Sequence, residues 1–273
     1  MNIDVRNKVA IVTGAGQGIG RDIALTLARE GAVTIGTDIA QKNLSALENE
    51  FRAESLIGKQ TACDVRRSDE ICTCVDSVID EYGQIDILVN NAGVGFRHDV
   101  EEITEKEWDL TIDVNLSGCF RMCRAVVPHM KERKQGRIIN AASFGAIVPR
   151  CGTAAYASSK AGVVYFTRVL AGELGPWNIT VNCYAPGMIP TEMCHYDELP
   201  MKDQKRLMDM LTLRRWGKES DIANLVCFLA SDLASYITGA MIDVSGGKLV
   251  TQIPREAYEG ARSQGVSDFD FEL

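Results

Sequence analysis

The sequence predicts an α/β fold, a Rossmann-type doubly wound parallel sheet of about seven strands with helices on both faces, in a single domain. Short apolar, β-branched runs alternate with amphipathic runs nearly to the C-terminus, the pattern of a parallel sheet covered on both sides. A glycine-rich turn joins the first strand to the first helix, where such folds bind phosphate. The length, 273 residues with 46% hydrophobic and 24% charged, suits one ordinary α/β domain.

The strand runs are Val9–Thr13, Val33–Asp38, Gln60–Asp64, Ile87–Asn90, Arg137–Ala141, Thr180–Tyr184 and Met241–Val244. Ile19, Ile23, Leu27 and Ala28 recur at helical spacing, and Gly31 stops that helix. Ile71, Val75, Val78, Ile79 and Tyr82 mark another face, with Ser68 as N-cap and Gly83 at the end. Residues 1–248 read as the catalytic domain, with a methionine-rich insertion at 188–213 as a substrate lid and 249–273 as a tail. In the tail, Pro254 is expected to break helix, so that Leu249–Tyr258 docks as extended chain on a neighbouring subunit while the part from Gly260 frays.

A formal charge of −8 and a pI near 5.1 argue against nucleic acid or an anionic membrane surface as partner. The nine cysteines mostly sit in apolar runs and form no C-x-x-C pair, which predicts reduced thiols. No run approaches the roughly 20 apolar residues of a membrane span, and MNIDVRNK is no signal peptide, so a cytoplasmic protein is expected. The three histidines are scattered and no metal site is expected.

Gly14-Ala-Gly-Gln-Gly18-Ile-Gly20 lets backbone N–H groups approach a pyrophosphate at a helix N-terminus. Asp38 ends the second strand, 18 residues beyond Gly20, where an acid accepts hydrogen bonds from an adenosine ribose. A carboxylate there repels a 2′-phosphate. Thr37, Ile39 and Ala40 bring no cation beside it, and Gln17 stands in the turn where one would sit. NAD rather than NADP is the expected cofactor.

Other motifs follow in order: Cys63-Asp64-Val65, Asn90-Asn91-Ala92-Gly93, Asn115, Ser143, Tyr156-Ala-Ser-Ser-Lys160 and Pro186-Gly187-Met-Ile189-Pro-Thr191. With Thr13-Gly14-x-x-x-Gly18-x-Gly20, they resemble the classical short-chain dehydrogenase/reductase family from about residue 7 to 247. The resemblance implies that Gly14, Gln17, Gly18, Ile19, Gly20, Asp38 and Ile39 bind the cofactor. It further implies that Asp64 and Val65 contact the adenine, and that Asn91, Ala92 and Gly93 flank its ribose. Gly187, Ile189 and Thr191 would serve the nicotinamide end, and Asn115, Ser143, Tyr156 and Lys160 the chemistry.

Those four make physical sense. Tyrosine, with an ordinary pKa near 10, is a poor base until positive charge favours its phenolate. Lys160 lies one helical turn beyond Tyr156 on the same face and can supply that charge while holding the nicotinamide ribose. Ser143 follows a strand at its carboxyl end and can donate to the substrate oxygen. Asn115 sits within a helical stretch that its propensity does not favour; the family role is to bend that helix and hold a water leading from Lys160.

The expected activity is NAD-dependent interconversion of a secondary alcohol and a ketone. Alternatives are a 3-oxoacyl-thioester or carbonyl reductase of the NADPH-using kind, opposed by Gln17 and Asp38, and a non-catalytic NAD(H) sensor, opposed by the full set of four residues. The substrate pocket should involve Val94–His98, Phe144–Gly152 and the lid, with Arg97, His98 and Arg150 able to meet an anion. Cys119, Met122 and Val126 on one helix, and Val163, Phe166 and Val169 on the next, are expected to face a second copy in a homotetramer, or else a dimer.

Overall fold

In the computed structural model, which describes residues 3–266, seven parallel strands form one sheet in the order β3-β2-β1-β4-β5-β6-β7. They are β1 (Val9–Thr13), β2 (Val33–Asp38), β3 (Gly58–Ala62), β4 (Ile87–Asn90), β5 (Gly136–Ala141), β6 (Ile179–Pro186) and β7 (Met241–Val244). Chain order reverses between β1 and β4, which opens a crevice at their carboxyl ends. β3 begins and ends two residues earlier than the sequence run implied, so Asp64 lies in the loop beyond it.

The strands are continuous apolar runs because both sheet faces are covered. Along β1, Ala10 and Val12 enter one core, with α1 (Gly18–Arg29), α2 (Gln41–Ala53) and α8 (Glu219–Ala230). Val9 and Ile11 enter the other, with α3 (Ser68–Tyr82), α5 (Gly118–Arg133) and α6 (Ala154–Leu174). Gly83 ends α3 in the left-handed conformation, φ 72°. Ser68, however, is the first residue inside α3; Arg67 occupies the cap position and makes no side-chain cap. Acidic Asp69 and Glu70 in the first turn complement the helix dipole instead.

α4 (Glu105–Ile112) runs into α5 through a single wide π turn, Asp113–Ser117, so the helical stretch is distorted at Asn115. On α5 and α6, Cys119, Met122, Val126 and Val163 are buried, and Phe166 is partly buried against the same core. They face the sheet and not a second copy. Val169 is 60% exposed, and the apolar groups presented beside it are Phe120 and Tyr165.

The 188–213 insertion holds α7 (Met201–Met208). Met188, Met208 and Leu211 are buried there, packed with Tyr196, Leu207, Met210 and Trp216, whereas Met193 and Met201 are exposed. Beyond β7 comes α9 (Arg255–Ser263). Pro254 starts this helix rather than preventing it, because a helix has no use for the first N–H groups and proline's fixed φ already suits the first turn. α9 docks on its own chain: the Tyr258 hydroxyl donates to the Thr212 carbonyl at 2.7 Å, and Arg255 lies 3.7 Å from Asp209. Gly260 lies within the helix, and the expectation of fraying beyond it otherwise falls on residues 267–273, outside the described residues. All nine cysteines are free thiols, and no described helix is long and apolar enough to cross a membrane.

Candidate active site

The glycine turn leaves β1 and enters α1 with Gly14 at φ 63° and Gly18 at φ 51°, a left-handed backbone that glycine adopts at little cost. A β-carbon on Gly14 would stand 2.8 Å from the Ala92 Cα, and one on Gly20 would collide with the Gly14 carbonyl oxygen. The bare backbone is therefore required both by the turn and by the loop after β4. Such a cradle, with N–H groups at a helix start, fits a dinucleotide pyrophosphate. Gly18 lies beside the Thr191 side chain, so the start of the 188–213 insertion crosses the turn.

Asp38 reaches the same turn from β2. Its carboxylate accepts from the Gly16 N–H at 3.0 Å and from the Ala40 N–H at 2.9 Å. Gln17 accepts from Asn43 Nδ2 at 3.0 Å, and Arg21 pairs with Glu50 on α2, which turns that cation to a protein partner. Ile39 is 69% exposed at the rim. Asp64 is engaged by Arg66, which lowers its pKa chiefly through the side-chain hydrogen bond, while Val65 is buried against Gly118.

Asn91 joins three strand ends. Its Nδ2 donates to the Thr13 and Gly14 carbonyls, each at 3.1 Å, and its Oδ1 accepts from the Tyr184 hydroxyl at 2.9 Å. Thr13 Oγ1 accepts from the N–H groups of Asn91 and Ala92, both at 3.0 Å. Gly93 lies beside Asn115 and Lys160, and Gly187 packs against Ser245 without room for a β-carbon. Ile189 is buried next to Gly217. Thr13 and Tyr184 were missed as site residues; their signal was only a polar group at the carboxyl end of a strand.

Ser143, Tyr156, Lys160 and Asn115 converge beyond β5. Ser143 Oγ accepts from the Gly145 N–H at 3.0 Å. The Tyr156 ring is flanked by Gly95 and Gly145, where a β-carbon would come to 3.0 and 3.7 Å of it. Burial pushes the Tyr156 phenol up, and its hydrogen bond with Ser143 acts the other way. The buried Lys160 Nζ donates to the Ala141 carbonyl at 2.7 Å and lies 5.8 Å from the centroid of the Tyr156 ring. Burial holds Lys160 down at about 8, slightly offset by Cys119.

Asn115 is fastened by the π turn. Its Oδ1 accepts from the Val94 N–H at 2.8 Å, and its Nδ2 donates to the Val94 carbonyl at 2.9 Å and to Ser159 Oγ at 3.0 Å. Ser159 Oγ donates in turn to the Tyr156 carbonyl at 2.7 Å, closing a chain from the β4 loop to the tyrosine helix. Ser159 was also missed; a hydroxyl three residues after Tyr156, able to bond back along its helix, was the available signal. Of the cations expected near the substrate, His98 is placed 3.4 Å from Glu107, whereas Arg150 is exposed.

At the opposite end of the sheet, Lys8 and the buried Arg137 pair with Asp232, and Arg133 with Asp86. Those charges close the sheet's base, away from the crevice.

The known proteins agree with this architecture. The family model described as enoyl-(acyl carrier protein) reductase matches residues 14–248. The (2S)-[(R)-hydroxy(phenyl)methyl]succinyl-CoA dehydrogenase subunit BbsD of Thauera aromatica is 42% identical over 89% of this chain and 97% of its own. The 3-oxoacyl-[acyl-carrier-protein] reductase FabG of Thermotoga maritima is 40% identical over 90% of this chain and 99% of its own. Levodione reductase superposes with a TM-score of 0.84 at 32% identity, covering 89% of this chain and 97% of its own. The chain belongs to the short-chain dehydrogenase/reductase family of oxidoreductases, whose members work with a nicotinamide cofactor.

Proposed function

We propose that the protein interconverts a secondary alcohol and a ketone with NAD(H), using Tyr156 as acid/base. The observation that carries the reading is the convergence of the Tyr156 phenol and the Ser143 hydroxyl at the carboxyl end of β5, with the Lys160 ammonium buried behind them. When bound, the nicotinamide supplies the hydride donor or acceptor and, when oxidised, a positive charge.

The glycine turn would hold the pyrophosphate, Asp38 the adenosine ribose, and Lys160 the nicotinamide ribose. Ser143 Oγ accepts from the Gly145 N–H, which orients the hydroxyl so that its proton can turn to the substrate oxygen. Tyr156 addresses that same oxygen. Its raised pKa keeps the phenol protonated in the protein alone, as a proton donor for ketone reduction needs. In the alcohol-oxidising direction, the Lys160 ammonium favours the phenolate that takes the proton. Asn115 and Ser159 position the helix that carries both.

A reductase of 3-oxoacyl thioesters is the second reading, favoured by the name of the Thermotoga maritima relative. Cofactor choice separates the two. Asp38 should give NADH at least a tenfold kcat/KM preference over NADPH, about 1.4 kcal/mol, on a ketone panel. Asp38→Ala should narrow it. Equal use of both cofactors by the native protein, with preference for thioesters, would favour the second reading.

A further inference from the structure

Lys248 follows the Gly246–Gly247 turn after β7, and its backbone is held from two sides. Its N–H donates to Ser245 Oγ at 3.0 Å, and the residue bridges antiparallel to Leu211 of the lid. The side chain runs inward, half-buried, and sets its ammonium 4.6 Å from the centroid of the Phe144 ring. Phe144 is itself buried and is the residue next to Ser143. The cation thus stands against the side chain of the residue that follows Ser143.

Among the described residues, neither Lys248 nor Arg150 forms an ion pair with a carboxylate. Burial, and then the like charge of Arg150, hold the Lys248 ammonium below the usual lysine range, with Asp243 acting the other way. A half-buried ammonium without a counter-ion costs desolvation that the face of one aromatic ring offsets only in part. A bound anion would neutralise both cations together.

We propose that Lys248, assisted by Arg150, binds a carboxylate carried by the substrate close to its reacting carbonyl, so that oxo acids and the matching hydroxy acids are the preferred substrate class. This rests on the reading that the site reduces ketones. A phosphate on a thioester carrier is the other source of such an anion, but it lies a whole pantetheine arm from the carbonyl.

The test compares acetoacetate with methyl acetoacetate, which differ in the charge and one methyl group, in the native protein and in Lys248→Met, Lys248→Arg and Arg150→Gln. Acetoacetyl-CoA and the acetoacetyl thioester of N-acetylcysteamine separate carboxylate from carrier phosphate. In Lys248→Met, the ratio of kcat/KM for acetoacetate over the ester should fall at least tenfold, mostly through KM. Lys248→Arg should keep it within threefold, and Arg150→Gln should lower it by a smaller factor. Calorimetric titration of malonate, a non-reducible dicarboxylate of the same length, into the NADH-loaded protein should show at least tenfold weaker binding in Lys248→Met. Equal losses on acid and ester, unchanged malonate binding, or a Lys248 effect confined to the CoA thioester would each overturn the assignment. If the native protein reduces none of these ketones, the proposed activity fails, and the malonate titration alone decides the anion site.

Discussion

Lys160 donates a 2.7 Å hydrogen bond to the Ala141 carbonyl, so the ammonium is moored to the last residue of β5 while it faces the Tyr156 ring on its own helix. Strand and helix together therefore fix the distance between base and charge. Neither alone could do so.

Tyr156→Phe removes the ionisable oxygen and keeps the ring between Gly95 and Gly145. It should lower kcat by at least a factor of about 10², the smaller end of what acid–base catalysis contributes, and leave NADH binding largely intact. Lys160→Ala should harm both, because one side chain serves the phenol and the ribose. A Tyr156→Phe protein with a tenth of native turnover would place the acid/base elsewhere.

Stability should also report Lys160. Its pKa is held down at about 8 from an ordinary 10.5, so between those values the unfolded chain binds the proton and the folded one does not. Stability then rises with pH through that window; below about 8 both states are protonated and the burial penalty is present in full. The full span is worth on the order of 3 kcal/mol. Urea unfolding at pH 7.5, 8.5 and 9.5 should show the native protein gaining on Lys160→Met as pH rises. A flat difference would mean that the ammonium is not depressed.

The α9 contacts predict that the tail steadies the lid. Truncation after Pro254 removes Tyr258 from Thr212 and Arg255 from Asp209. It should raise substrate KM severalfold with little change in NADH affinity. Truncation after Val266 keeps the whole of α9 and should behave as native. Identical KM in both would show that α9 does not matter to the pocket.

Assembly should depend on the exposed side of α5 and α6. Phe120, Tyr165 and Val169 are 45, 67 and 60% exposed, and Arg124 and Arg168 lie over the first two rings. An apolar patch of this kind marks an interaction surface. A homotetramer is expected by light scattering at micromolar concentration, and Val169→Glu should shift it to a smaller species. A native monomer would end this expectation.

What the sequence determined by itself was the ordered skeleton: seven apolar runs, the glycine turn, Asp38 at a strand end, and Tyr156 one helical turn from Lys160. These are legible because strand alternation, turn glycines and helical spacing are local properties. Local reasoning failed where a neighbour in space decides. Ser68 looked like a cap but lies inside α3. Cys119 and Met122 looked like interface but pack on the sheet, since periodicity names an apolar face without naming what covers it. Pro254 looked like a breaker and instead opens α9, because proline's meaning depends on whether its N–H position begins a helix or interrupts one. Only the tertiary structure brought Thr13, Tyr184 and Ser159 to the site and set Lys248 against Phe144. Their placement comes from the reversal of strand order between β1 and β4 and from the lid folding back on the end of β7, contacts between residues far apart in the chain.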